Sequence, residues 1–247
     1  MRARFTVLLG ALLLVLASCQ AAPSPEAPAT LRSARASDAA VLKARMHDHD
    51  VIGASVRDAV AHADLVAARR HAKLLADFRI EGDPDSTWRK NLAAMSAAAQ
   101  RVADAEDLTA ASRDLAALAR TCGDCHATLG GPHPVVGAAP GEDGASLSLR
   151  MQRHQWAAAR AWDGLVVPDD AAWKAAARVL ADAPLEPEML TPGKRPTLST
   201  RELAASMHEL GRNAQVAEAG VDRGAIYGEL IAKCSACHQL LGGGQRR

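Results

Sequence analysis

The chain repeats itself. Residues 95–131 recur 112 positions later: Met95 falls on Met207, Leu118 on Leu230, and Leu129-Gly130-Gly131 on Leu241-Gly242-Gly243. Within that stretch the run Cys122-Gly-Asp-Cys125-His126 falls on Cys234-Ser-Ala-Cys237-His238. Nearer the front the offset is 105, so that His49 meets His154, Asp58 meets Asp163 and Leu75-Ala76-Asp77 meets Leu180-Ala181-Asp182. The difference of seven falls in PLEPEMLTPGKRPT, which has the Pro and Gly content of a connector. A tandem duplication constrains the fold strongly, because each copy is expected to be one folding unit.

Each copy reads as four helices. In the first, Ser37 or Asp38 can cap a helix with the apolar stripe Leu42, Met46, His49, Gly53, Val56 and Val60, spaced by four and three. Asp64 can cap a second, Gly82-Asp83-Pro84-Asp85 breaks the chain, and a third carries Leu92, Met95, Ala99 and Val102. Asp107 can start the fourth, with Leu108, Leu115, Leu118, Cys122 and Cys125 along one side. In the second copy Ser199-x-x-Glu202 has the form of a capping box. No stretch alternates with period two, so the expected fold is all-α. Alanine supplies 55 of 247 residues and aromatics only 3 %, giving high helix propensity but little core bulk.

The amino terminus reads as a targeting segment: basic MRAR, then the apolar FTVLLGALLLVLA, too short to span a bilayer as a helix, which takes about 20 residues. Leu16-Ala17-Ser18-Cys19 resembles a bacterial lipobox, which implies cleavage before Cys19, lipid on that residue and, with Gln20 following, outer-membrane sorting facing the periplasm. The expected organisation is a signal peptide over 1–18, a flexible tether over 19–36, units at 37–133 and 146–243, a linker at 134–145 and a tail at 244–247. Of five cysteines, setting Cys19 aside leaves four, all in the C-x-x-C-H runs, and none for a disulfide framework. A net charge of +1 and the lack of Lys/Arg runs give no footprint for nucleic acid.

C-x-x-C-H is the attachment signature of c-type haem. Two thiols add to the vinyl groups on one porphyrin edge, and the following imidazole faces the iron. Cys122, Cys125 and His126 are thus expected to hold one haem, and Cys234, Cys237 and His238 another. A redox-active C-x-x-C calls for a βαβ context that is lacking here, a zinc site for four cysteines gathered together, and a disulfide across three helical residues for strained geometry. A porphyrin, a large apolar plate, would also fill an alanine-built core.

A four-helix unit with C-x-x-C-H at the end of its last helix resembles the class II cytochromes c, the cytochrome c-prime and c-556 group. The resemblance covers Ser37 to about His133 and about Ala145 to Gly243. It implies two tandem four-helix-bundle cytochrome units, each with a haem between its helices and any distal ligand on the first helix. That helix offers Met46 and His49 in one copy and Met151 and His154 in the other. Recurrence beside an iron favours His49 and His154; methionine, which six-coordinate members of the family use, makes Met46 and Met151 the alternative, and an open position is the third. Two imidazoles lower the potential and a thioether raises it. His47, His62, His71 and His208 lack histidine counterparts and read as surface residues. His133 lies just past the first motif, and the Trp at 88, 156, 162 and 173 read as packing groups.

The function expected from these residues is a lipid-anchored dihaem carrier of single electrons between redox protein partners, not an enzyme. Binding or sensing of nitric oxide or carbon monoxide at an open iron is the alternative. A dihaem peroxidase would need acid–base residues that do not stand out.

Overall fold

The computed structural model describes residues 29–80, 86–131, 137–141, 146–182 and 185–242. Among them every regular element is a helix and no strand occurs. The first copy contributes α1 (Ala29–Ala61), α2 (Leu65–Ala76), α3 (Ser86–Ala103) and α4 (Leu108–Leu129). The longer connector adds one turn, α7 (Pro187–Leu190), to the second copy's α5 (Leu147–Val166), α6 (Asp170–Asp182), α8 (Leu198–Val216) and α9 (Val221–Leu241). Residues 1–28, on which the expected signal segment and Cys19 fall, the Gly82–Asp85 break and His133 lie outside the described residues. Met1–Val41 separates from Leu42–Arg247, which is one compact unit. Among the described residues no helix is long and apolar enough to cross a membrane.

Caps explain most helix starts. Asp64 and Asp107 accept the backbone N–H of Ala67 and Ala110 at 2.8 and 2.7 Å, each satisfying a donor that the helix leaves open. Two starts differ from expectation. Thr197, not Ser199, caps α8 by accepting from the Thr200 N–H at 3.2 Å. It has the same capping chemistry and is the first such residue after Pro196. α1 begins at Ala29, ahead of Ser37 and Asp38 and inside the stretch expected to be a tether. Between Pro28 and Ala61 the chain holds no proline and a single glycine, so nothing there breaks a helix.

The expected apolar stripes face inward. Val56, Val60, Ala99, Val102, Leu115 and Leu118 have no exposure, and they join Trp162, Leu180, Met207 and Ile231 of the second copy in one continuous core. The connector between the copies is tied down, Arg153 Nη1 donating to the Pro140 carbonyl at 2.8 Å.

An approximate two-fold axis relates the copies. A Cβ built on Gly228 lies 3.3 Å from the Ala116 Cβ, and one on Gly224 lies 2.5 Å from the Arg120 side chain, so α4 and α9 cross closely in opposite directions. Ala116 and Gly228 are repeat counterparts, and a residue meeting its own copy marks the axis of an isologous contact. Away from the axis, contacts come in pairs. A Cβ on Gly123 would lie 2.4 Å from the Leu165 carbonyl oxygen. Gly123's counterpart, Ser235, donates its hydroxyl to the carbonyl of Val60, Leu165's counterpart, at 2.6 Å. Each C-x-x-C-H segment therefore lies against the end of the other copy's first helix.

α1 ends in a Schellman motif: Asp64 N–H donates to Ala59 O at 2.9 Å and Ala63 N–H to Val60 O at 3.0 Å. Ala63 sits at φ +62°, the one non-glycine with positive φ among the described residues. Ala63→Gly should raise stability by about 0.5–1 kcal/mol, because glycine adopts this conformation without the Cβ penalty. Gly123→Ala should cost about 2 kcal/mol or more, since backbone faces the new methyl. Urea unfolding of both variants checks the opposite signs.

Candidate functional site

A cavity of about 400 Å³ opens beside the second C-x-x-C-H run, within the usual size of small-molecule and cofactor sites. Spacings of three and four put Cys234, Cys237 and His238 on one face of α9, and all three line it. Met151 and His154 of α5 line another wall, with Met207 of α8. The extra length of the second connector is used here: Leu185 and Leu190 border the cavity and pack with Leu147, Met151 and Leu241.

In the first copy, the His126 ring faces His49, with centroids 6.5 Å apart and planes at 55°, and Phe78 backs His49 at 5.5 Å. Met46 is half-buried against the core. The Leu-Gly-Gly after each motif has a steric meaning. Gly130 and Gly242 end their helices at φ +73° and +69°, and a Cβ on Gly131 would lie 2.5 Å from His126 Cγ, so the chain passes tightly over that imidazole.

Burial sets the protonation states. It pushes the Cys122 and Cys234 thiols up to about 12, helped by the neighbouring Cys125 and Cys237, and raises those two thiols as well. All four cysteines are free thiols. A redox-active C-x-x-C needs the opposite, a thiolate at neutral pH. Burial lowers His126 and His238, and takes His49 to about 4 with a further push from the His126 charge. These imidazoles are neutral at pH 7, the form that offers a lone pair to a metal. The Nδ1 atoms of His126 and His238 are buried without hydrogen-bond partners, a cost that a bound group could relieve.

His62 departs from the surface position expected of it. It lines the second cavity, and its ring stacks on His238 with centroids 5.3 Å apart and planes at 27°. Its partner belongs to the other copy, so alignment of the copies carried no signal for it. His71 and His208 are half-buried rather than exposed, His208 with a buried Nδ1 lacking a partner, while His47 is exposed. Trp162 and Trp173 are core residues, and Trp173 Nε1–H donates to Ala214 O at 2.8 Å. Among the described residues no three His, Cys, Asp or Glu side chains are grouped to hold a metal ion by themselves.

No family model matches the chain, and comparison with characterised proteins and with solved structures likewise gives no match.

Acid should weaken the polypeptide when no group is bound. His49 binds its proton less readily folded than unfolded, where its ordinary value is 6.5, so its contribution is complete above that pH and is lost toward about 4. The contribution is on the order of 2–3 kcal/mol. His49→Gln should flatten the fall in stability across this window, as followed by urea unfolding at a series of pH values.

Proposed function

We propose that this chain is a dihaem c-type cytochrome that carries single electrons between redox proteins outside the cytoplasm. One observation carries the reading. Two duplicated helices each present two protonated thiols and a neutral imidazole on one face, and in the second copy that face borders an apolar cavity of cofactor size.

Each thiol would add across a vinyl double bond, sulfur bonding to one carbon and the hydrogen going to the other, with no net redox change. Cys122 and Cys125 would hold one haem in this way, and Cys234 and Cys237 the other. His126 and His238 would be the proximal ligands. Haem supplies reversible one-electron chemistry at iron; the chain sets its orientation, its exposure to water and its axial ligands. A porphyrin brings four nitrogens of its own, so the residues here need furnish only one or two donors per iron.

The distal side is best supported in the first copy. Two imidazoles holding one metal through bonds of about 2 Å each would have ring centres roughly 6 Å apart. The 6.5 Å between His49 and His126 suits that arrangement, which favours His49 over Met46. In the second copy His154 and Met151 both border the cavity. The likeness to the class II cytochromes c belongs to this proposal, with one departure: each motif packs on the other copy's first helix. Export and lipid attachment at Cys19 belong to it too, because c-type haem is attached outside the cytoplasm in bacteria.

Protein produced in a cell with cytochrome maturation should give two haems per chain by pyridine haemochrome and intact mass. Cys122→Ser with Cys125→Ser should leave one. Absence of any covalent haem despite working maturation defeats the proposal. Low-spin spectra without carbon monoxide uptake are expected of a carrier, whereas rapid binding at both ferrous irons would favour gas sensing.

A further inference from the structure

We propose that His62 supplies the second axial nitrogen to the haem held by Cys234, Cys237 and His238, making the second site a joint product of both copies. The inference rests on the haem reading above and names a ligand that the repeat does not.

Three observations point to His62. It lines the same cavity as Cys234, Cys237 and His238, and its ring lies next to that of His238, stacked at 5.3 Å. Two imidazoles sharing one metal would point their nitrogens at it with ring centres ~6 Å apart, so the stacked pair would have to turn and part slightly to hold one. A turn of the His238 ring would exchange its hydrogen bond with the Ala61 backbone for the metal, and its buried Nδ1 has no partner to oppose that turn.

The second observation concerns which nitrogen is available. His62 Nδ1 lies 2.7 Å from the Asp58 carbonyl oxygen. A carbonyl only accepts, so Nδ1 carries the hydrogen and Nε2 keeps its lone pair. Metal-binding histidines are held in this way, one ring N–H donated to a backbone carbonyl while the other nitrogen ligates.

The third is the backbone that aims it. His62 is the cap residue of the Schellman turn, and the next residue is Ala63 at φ +62°. A non-glycine held there stores strain of about 1 kcal/mol or more, and such strain gathers where a side chain must be positioned. The repeat counterpart of His62 is Val167. The first site thus has no equivalent imidazole from the opposite copy, and there His49 faces His126. Both irons would carry two imidazoles, drawn at one site from the same copy and at the other from both, with His154 a wall residue.

The test uses the full-length matured protein. Haem content is measured first. No covalent haem on the parent chain would defeat the haem reading itself, apart from anything about His62. With two haems present, optical and electron paramagnetic resonance spectra compare the parent with His62→Ala, His154→Ala and His62→Met. We expect both haems of the parent to be low-spin. His62→Ala should convert one of the two to a high-spin form that binds carbon monoxide, and added imidazole should restore it. His62→Met should keep it low-spin with a higher potential, and His154→Ala should leave both haems low-spin. The inference is overturned if His62→Ala keeps both haems low-spin, or if imidazole does not reverse its effect. It is equally overturned if His154→Ala converts one haem reversibly, or if the second haem of the parent is already high-spin.

Discussion

Two helices cross here at a distance that only small side chains allow, and the rest of the molecule is arranged around that crossing. Where α4 meets α9, Ala116 faces Gly228 and Gly224 leaves room for the Arg120 stem. Larger residues would drive the helices apart and would lift Gly123 from the Leu165 carbonyl and Ser235 from that of Val60. The abundance of alanine follows from this demand. Alanine favours helix while adding little bulk, and Ala111, Ala119, Ala157 and Ala176 are fully buried between helices. A core of this kind gains from close backbone approach and many short dispersion contacts rather than from large side chains.

Much of this was legible in the chain. The three-and-four spacing of Leu42, Met46, His49, Gly53, Val56 and Val60 marked the inward face of α1, and the aspartates at 64 and 107 marked two helix starts, because both signals depend only on local geometry. Local geometry also explains the misses at helix ends. Thr197 and Ser199 have the same capping chemistry, and the earlier one won. Ala63 ends α1 where glycine is usual, so no residue type announced the turn. The pairing of the copies was beyond reach for a different reason. Similarity between two segments shows that they share a shape and is silent on which packs against which. His62, Gly123 and Leu190 take their meaning from contacts across the copies or within the longer connector.

The chemistry of the site follows from burial more than from charge. Thiols held near pKa 12 and imidazoles kept neutral suit covalent capture of a macrocycle and coordination of its metal, and they do not suit thiol–disulfide exchange. The copies have also diverged where it counts. The second connector brings Leu185 and Leu190 to the cavity, and α1 brings an imidazole to it that α5 does not bring to the first site. If both sites hold haem as proposed, centres that differ in shielding and in donors need not share one potential.

The crossed packing of each C-x-x-C-H segment also has a consequence in time. A chain exported unfolded, as proposed, would emerge amino end first, so α4 would be outside before α5, whose Leu165 covers Gly123. The earlier motif would wait for its cover, whereas the later one would emerge with α1 already available to receive Ser235. An attachment enzyme working on the emerging chain would therefore meet the two motifs in different degrees of enclosure, although they carry the same five-residue grammar.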